Sequence, residues 1–356
     1  MKSNYRYIVK AFMAMAVIAG TTSCDDFLDR EPMSSISPET YYSTAAQLEA
    51  NLNDEYPNVL PSFGQWTYGI FGEDKGTDNQ IEVNANDRYT QDRWKVPHSE
   101  SDNWKFERIY RINFFLSEAL PKFGEDMSGS QNTISGSVAT IKHYIGEMYF
   151  LRAYEYFKKL QLFGDFPIIN QPLADEMEAL REASKRFPRN EVARFIISDL
   201  DKAYAYMSDV DMATTRINKD VAMLVKSRVA LFEATWLQNF KGTAFVPGGE
   251  GWPGASLHNN YQYPSGNIDN EVKYFLEQAV EASKLVADKY KGSLTENTGV
   301  LQQSADDPSN PYFDMFAQED LSDVKEVLLW RQYARGLSTH NINAAAGRGK
   351  DRKSVV

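Results

Sequence analysis

One cysteine in 356 residues, Cys24, leaves the chain no partner for a disulfide and no thiol pair of the kind small zinc sites use. Histidine is nearly as scarce. His98, His143, His258 and His340 lie far apart, and none belongs to a His-Glu-x-x-His run, so a zinc hydrolase is not indicated. Phosphate-gripping loops are also missing: Gly248-Gly249-Glu250-Gly251-Trp252-Pro253-Gly254 lacks the Lys-Ser/Thr pair, and Gly347-Arg348-Gly349-Lys350 is followed by Asp351. No Gly-x-Ser-x-Gly elbow occurs. Carboxylates abound, yet no two are singled out as the pair of a glycosidase, whose spacing of about 5 Å is a property of the fold. No enzyme, metal or cofactor is expected. Bases fall short of acids, 38 against 49, and the net charge of −11 argues against nucleic acid as a partner.

Long apolar runs are absent as well. The run from Ala11 to Gly20 is too short for a bilayer, which takes roughly 20 helical residues. Lys2, Arg6 and Lys10 precede it, and Thr21, Thr22 and Ser23 follow, the order of a cleaved export leader. Residues 1–23 are therefore expected to be a signal peptide and Cys24 the acylated first residue of a lipoprotein. An ordinary leader with an incidental cysteine is the other reading, since Thr21 stands where a lipoprotein usually has Leu; a lone thiol sent to an oxidising compartment favours the lipid. Cleavage would leave 35 bases against 49 acids, a net charge of −14, so the lipid and not charge would hold the protein to a membrane. Residues 24–36, with Asp25, Asp26, Asp29, Arg30 and Glu31, read as an acidic surface tether ending near Pro32.

What the chain does have is helical periodicity. Ser37 as N-cap and Pro38 predict a helix carrying Ala45, Leu48, Leu52 and Tyr56 on one face, ended by Pro57. From Leu60 to Ser101 the periodicity lapses into a long aromatic-rich loop. Trp104 to Leu120 predicts a second helix, with Ile109, Ile112, Leu116 and Leu120 in a stripe and Pro121 and Gly124 at its end. The strongest prediction spans 138–163. Ile141, Ile145, Met148 and Leu151 share one flank, Tyr144, Tyr149, Tyr154, Tyr156 and Phe157 widen the arc, and Gly164 stops the helix before an extended 165–169. Three more helices are predicted at 190–207, 219–237 and 271–290, the middle one with Ala222, Val225, Val229, Phe232 and Trp236 in a stripe. Gly146, Ala153, Ala222, Ala230 and Ala279 would let helices approach closely. The expected fold is mainly α, a tetratricopeptide-like scaffold of helical pairs with long aromatic-rich loops, although no strict 34-residue repeat is visible.

The segment Cys24-Asp25-Asp26-Phe27-Leu28-Asp29 with Pro32, the stretch WKFERIYRIN from Trp104, the run GEMYFLRAYEYFKKLQLFGDFPII from Gly146 to Ile169, the helix at 219–237, and Asn310-Pro311-Tyr312 with Met315-Phe316 together resemble the SusD/RagB family. The resemblance extends from the anchor to about residue 346. It implies a nutrient-binding surface lipoprotein with helical pairs, acting as a lid on a SusC-like TonB-dependent transporter of the outer membrane, and the acids after Cys24 imply export to the cell exterior. A typical member continues well beyond Tyr333-Ala334-Arg335-Gly336. The basic tail 347–356 therefore reads as the end of a truncated or frame-shifted product, the alternative being a flexible tail, and residues 37–346 as an incomplete SusD-like domain.

Aromatic rings in loops are the candidate ligand contacts, since a flat ring covers the C–H face of a sugar while amides and charges bond its hydroxyls. One cluster holds Trp66, Tyr68 and Trp94 with Asp78, Asn79 and Arg93; the other, within 241–267, holds Phe245, Trp252, Tyr261 and Tyr263 with Asn259 and Asn260. Trp252 leads, because Gly251 and Pro253 are expected to stiffen and expose a loop tip. Each ring could instead plug its loop onto the scaffold, as Trp104 and Trp236 are expected to do within helices. An oligosaccharide is the expected ligand, a peptide the alternative, and a structural lid without a ligand site the third.

Overall fold

The computed structural model describes residues 41–61 and 103–332, apart from 125, 209–211, 302, 303, 305, 317 and 319. The leader, Cys24, the tether, the basic tail, and Trp66, Tyr68, Trp94, Asp78, Asn79 and Arg93 lie outside the described residues. Helix α1 (Ala45–Val59) opens on a capping box: Gln47 N donates to Thr44 Oγ1 at 3.2 Å and Thr44 N to Gln47 Oε1 at 3.0 Å. The expected start at Ser37 is corrected. Tyr42 has φ +58°, which no α-helix contains, and its ring is buried 5.3 Å from that of Phe115, so the helix can form only after it. Pro57 does not end α1 but occupies its last turn, and Pro121 does the same in α2 (Glu107–Phe123), which Gly124 closes with φ +104°. A proline there forfeits one bond at an end that frays in any case.

Helix α2 begins three residues after Trp104, which sits in the preceding turn against Phe163 and Phe166, both at 4.9 Å. Helix α3 (Val138–Phe163) has the predicted ends, capped by Ser137 and closed by Gly164 at φ +67°. A short α4 (Met177–Ala183) follows, then α5 (Arg189–Tyr206), α6 (Lys219–Asn239), α7 (Ile268–Tyr290) and α8 (Pro311–Met315).

Side-chain contacts fix the helix directions. Between α1 and α2, Lys122 Nζ donates to Tyr41 O at 2.8 Å while Arg111 Nε meets Glu55 at 2.5 Å, so the two are antiparallel. Tyr149 packs on Tyr206 at 5.6 Å and Tyr156 on Phe195 at 4.9 Å, which makes α3 and α5 antiparallel. Asp220 with Lys289 and Lys241 with Asp269, each at 2.6 Å, do the same for α6 and α7. The first helices of the three pairs run parallel. Tyr56 Oη donates to Glu147 at 2.7 Å and Lys158 Nζ to Val59 O at 3.0 Å; His143 Nε2 donates to Ile217 O at 3.0 Å and Phe157 meets Phe232 at 5.6 Å. Antiparallel hairpins α1/α2, α3/α5 and α6/α7, with α3 packed on both α1 and α2 and α6 packed on the second hairpin mainly through α5, are a tetratricopeptide-like scaffold. Among the described residues the sheet-like features are two isolated bridges, Thr44–Ser135 and Phe166–Phe187.

Helix α3 is central, and its predicted flank of Ile141, Ile145, Met148 and Leu151 is fully buried. Gly146 is needed there: a Cβ would stand 2.8 Å from Met207 N and 2.9 Å from Ala203 O of the facing α5 segment. The predicted stripe of α6 is only half right. Ala222 and Val229 are buried, but Val225, Phe232 and Trp236 are half-exposed, and Lys226 and Glu233 are buried instead, because α6 lies between α5 and α7 and is covered on two flanks. Among the described residues no helix is long and apolar enough to cross a membrane.

Candidate functional site

The end of α3 sets up the site. Gly164 stops the helix, and Phe166 then pairs with Phe187, N to O at 3.1 Å and 3.0 Å, which brings residues 186–189 beside the α3 terminus. Asp165 binds in two directions. Its Oδ1 accepts from the first backbone N–H of α5, at Arg189, at 2.9 Å, and its Oδ2 accepts from Trp252 Nε1 at 2.7 Å. One carboxylate thus caps a helix N-terminus and fastens a loop.

Trp252 is therefore not the exposed loop tip expected of it. Gly251, at φ +76°, turns the indole inward until it is 5 % exposed, stacked 5.9 Å from His258 and 5.6 Å from Tyr261, and so close to Gly254 that a Cβ there would meet the ring at 2.2 Å. Tyr261 Oη donates to Asn190 Oδ1 at 3.0 Å and Tyr263 Oη to Pro247 O at 2.6 Å. Both are half-buried, and burial holds both phenols well above their ordinary pKa. Asn259 and Asn260 stay exposed. The second loop cluster is thus joined as a packed unit, with Phe245, 61 % exposed, as its outward ring.

Around that unit lies a cleft of about 500 Å³, within the span of roughly 300–1,000 Å³ typical of ligand pockets. Leu162 and Leu257, 58 % and 54 % exposed, and Phe245 give it apolar surface; Trp236 and Trp252 contribute ring faces. Gln161, Asp165, Arg186 and Arg189 are its polar side chains. Arg189 lies 4.1 Å from the Trp236 ring centre and is bound bidentately by Glu233 at 2.9–3.2 Å. Burial raises the pKa of Glu233 despite that partner, and it raises that of Asp165 despite the indole and backbone donors. A larger hollow of about 560 Å³ between α1, α3 and α6 reaches residues 61 and 332, where the described residues end, so its outline is open.

Leu162, Asp165 and Arg186 were not foreseen as site residues. Asp165 carries a local signal, the acid following a helix-ending glycine; Arg186 carries none, since it reaches the cleft through the Phe166–Phe187 bridge. The arrangement can grip and orient a ligand. Among the described residues no group of three His, Cys, Asp or Glu is placed to hold a metal.

The helical hairpins and the ring-lined cleft at their seam define a mainly α, tetratricopeptide-like protein, and comparison with known proteins gives its family. Residues 26–231, more than half of the chain, match the SusD-like family described as "Starch-binding associating with outer membrane", and the chain belongs to that family. It is similar to SusD-like protein P2 of Formosa agariphila, 25 % identical over 253 residues, covering 68 % of this chain and 46 % of the relative. SusD-like protein P25 of the same organism is 25 % identical over 233 residues, 60 % of this chain and 41 % of the relative. The chain thus spans less than half the length of these relatives. A solved SusD-like carbohydrate binding protein from Bacteroides fragilis is 16 % identical with a TM-score of 0.43, covering 74 % of this chain and 44 % of that one.

Proposed function

We propose that the protein is a non-catalytic nutrient-binding lipoprotein of the outer membrane that captures an oligosaccharide at the cell surface and passes it to a SusC-like TonB-dependent transporter. Membership of a family described as starch-binding and outer-membrane-associated carries the reading, and the ring-lined cleft is consistent with it. In this account residues 1–23 are the leader, Cys24 bears the lipid, and 24–36 is the tether. Trp66, Tyr68 and Trp94 contribute ligand contacts from the first loop. In the second, Phe245 is the contacting ring and Trp252 borders the ligand, while Tyr261 and Tyr263, which stand behind the cleft lining, brace the loop.

The test is calorimetry of the mature chain starting at Asp25 against oligosaccharide and peptide panels, with folding checked by circular dichroism. Saturable oligosaccharide binding is expected, weakened about tenfold in Phe245→Ala, the loss of about 1–3 kcal/mol typical of a stacked ring. A folded chain that binds only peptides, or nothing, overturns the oligosaccharide reading. In cells, Cys24→Ala is expected to move the protein from the membrane fraction to the soluble one.

A further inference from the structure

Arg186 is the uncompensated charge of the cleft. Of the two guanidiniums lining it, Arg189 is occupied by Glu233 at 2.9 Å. Asp165, the one carboxylate in the lining, has both oxygens engaged, by the Arg189 backbone and the Trp252 indole. The basic neighbours Arg181 and Lys185 are paired with Glu178 and Glu182 at 2.9 Å and 2.5 Å. Arg186 instead rests its guanidinium over the Trp104 ring, 4.6 Å from the centroid, and among the described residues no carboxylate lies within ion-pair distance of it. Its backbone is fixed as well: His258 Nε2 donates to Arg186 O at 2.8 Å, and Phe187 beside it is bridged to Phe166. An exposed guanidinium stacked on Trp104, in one cleft lining with exposed Phe245 and Leu257, offers a planar fork that suits an oxyanion better than a neutral hydroxyl.

We infer that the cleft takes a glycan bearing an oxyanion, a uronate carboxylate or a sulfate ester, with Arg186 as the anchor. The inference rests on the oligosaccharide-binding reading above. A chain of net charge −11 repels polyanions at long range, so recognition of an acidic glycan must come from a local cation, and one substitution should reveal it.

The test is calorimetry at low and moderate salt with the full mature chain, using a neutral malto-oligosaccharide, an oligogalacturonide, a sulfated oligosaccharide of equal length and a glutamate-rich peptide. An acidic glycan is expected to bind more tightly than the neutral one, and to lose about tenfold or more in Arg186→Gln, clearly more than the neutral glycan loses, while the melting temperature holds. Arg186→Lys is expected to recover part of the loss, and which acidic glycan wins tells carboxylate from sulfate. Equal binding of neutral and acidic glycans, or indifference to Arg186→Gln, overturns the inference and leaves the oligosaccharide reading standing. Binding of the peptide alone, or of no glycan by a folded chain, overturns both.

Discussion

Glu271 and Glu233 are each paired with an arginine that lowers the carboxyl's pKa, yet their net shifts run in opposite directions. Burial alone would raise Glu271, but hydrogen bonds from Arg194 at 2.7 Å, Asn190 at 3.0 Å and Ser265 outweigh it and hold its pKa below the ordinary 4.5. Its contribution to stability is thus complete above about pH 4.5 and is lost as pH falls through the depressed folded value. Glu233 is raised, so what it contributes is present below the ordinary value and declines as pH rises through the folded one. Glu271→Gln should therefore flatten the acid limb of a melting-temperature profile measured between pH 3 and 7, and Glu233→Gln should not. Trp252 gives the second residue-scale prediction. Trp252→Ala removes a buried ring and a donor to Asp165, at a cost of about 3–5 kcal/mol by denaturant titration, whereas Phe245→Ala should change stability by no more than about 0.5 kcal/mol.

At the level of elements, arginines paired with buried acids lock helix to helix: Arg152–Asp199 for α3/α5 and Arg189–Glu233 for α5/α6 are buried on both sides, while Arg111–Glu55 for α1/α2 and Arg194–Glu271 for α5/α7 bury the acid and leave the arginine partly exposed. Arg152→Ala leaves buried Asp199 with only the partly exposed Lys202, at 3.7 Å, for a partner, and should cost about 3–5 kcal/mol; Arg152→Met with Asp199→Leu should cost far less, a difference that paired denaturation curves would resolve. Gly146→Ala should cost about 1–3 kcal/mol, because the added methyl meets backbone atoms of residues 203 and 207 that cannot swing aside. Helix α3 was legible from sequence because apolar periodicity, an N-cap and a terminal glycine agree within one segment. The start of α1 was not, since the left-handed turn at Tyr42 is imposed by a pocket against Phe115, far along the chain. Nor was the inward turn of Trp252: Gly251 and Pro253 announce a stiff turn, while its direction depends on Asp165, supplied by another helix end.

Across the whole molecule, three hairpins lie in a row with α3 at the middle, touching α1, α2 and α5. Each hairpin packs on the next, and the buried side chains of all three join in one continuous apolar core running from Tyr42 to Val286. The cleft sits at the seam where α3 ends and α5 begins, between the second hairpin and the third, and it is fastened by Asp165, which binds the Arg189 backbone and Trp252, and by the Arg189–Glu233 pair. Any ligand held there touches two units at once. Deuterium uptake should be slowest in α3, most of which is buried, and faster in α4, which buries no residue, and a bound glycan should slow uptake in α6 and the 244–257 loop while leaving α1 as it was.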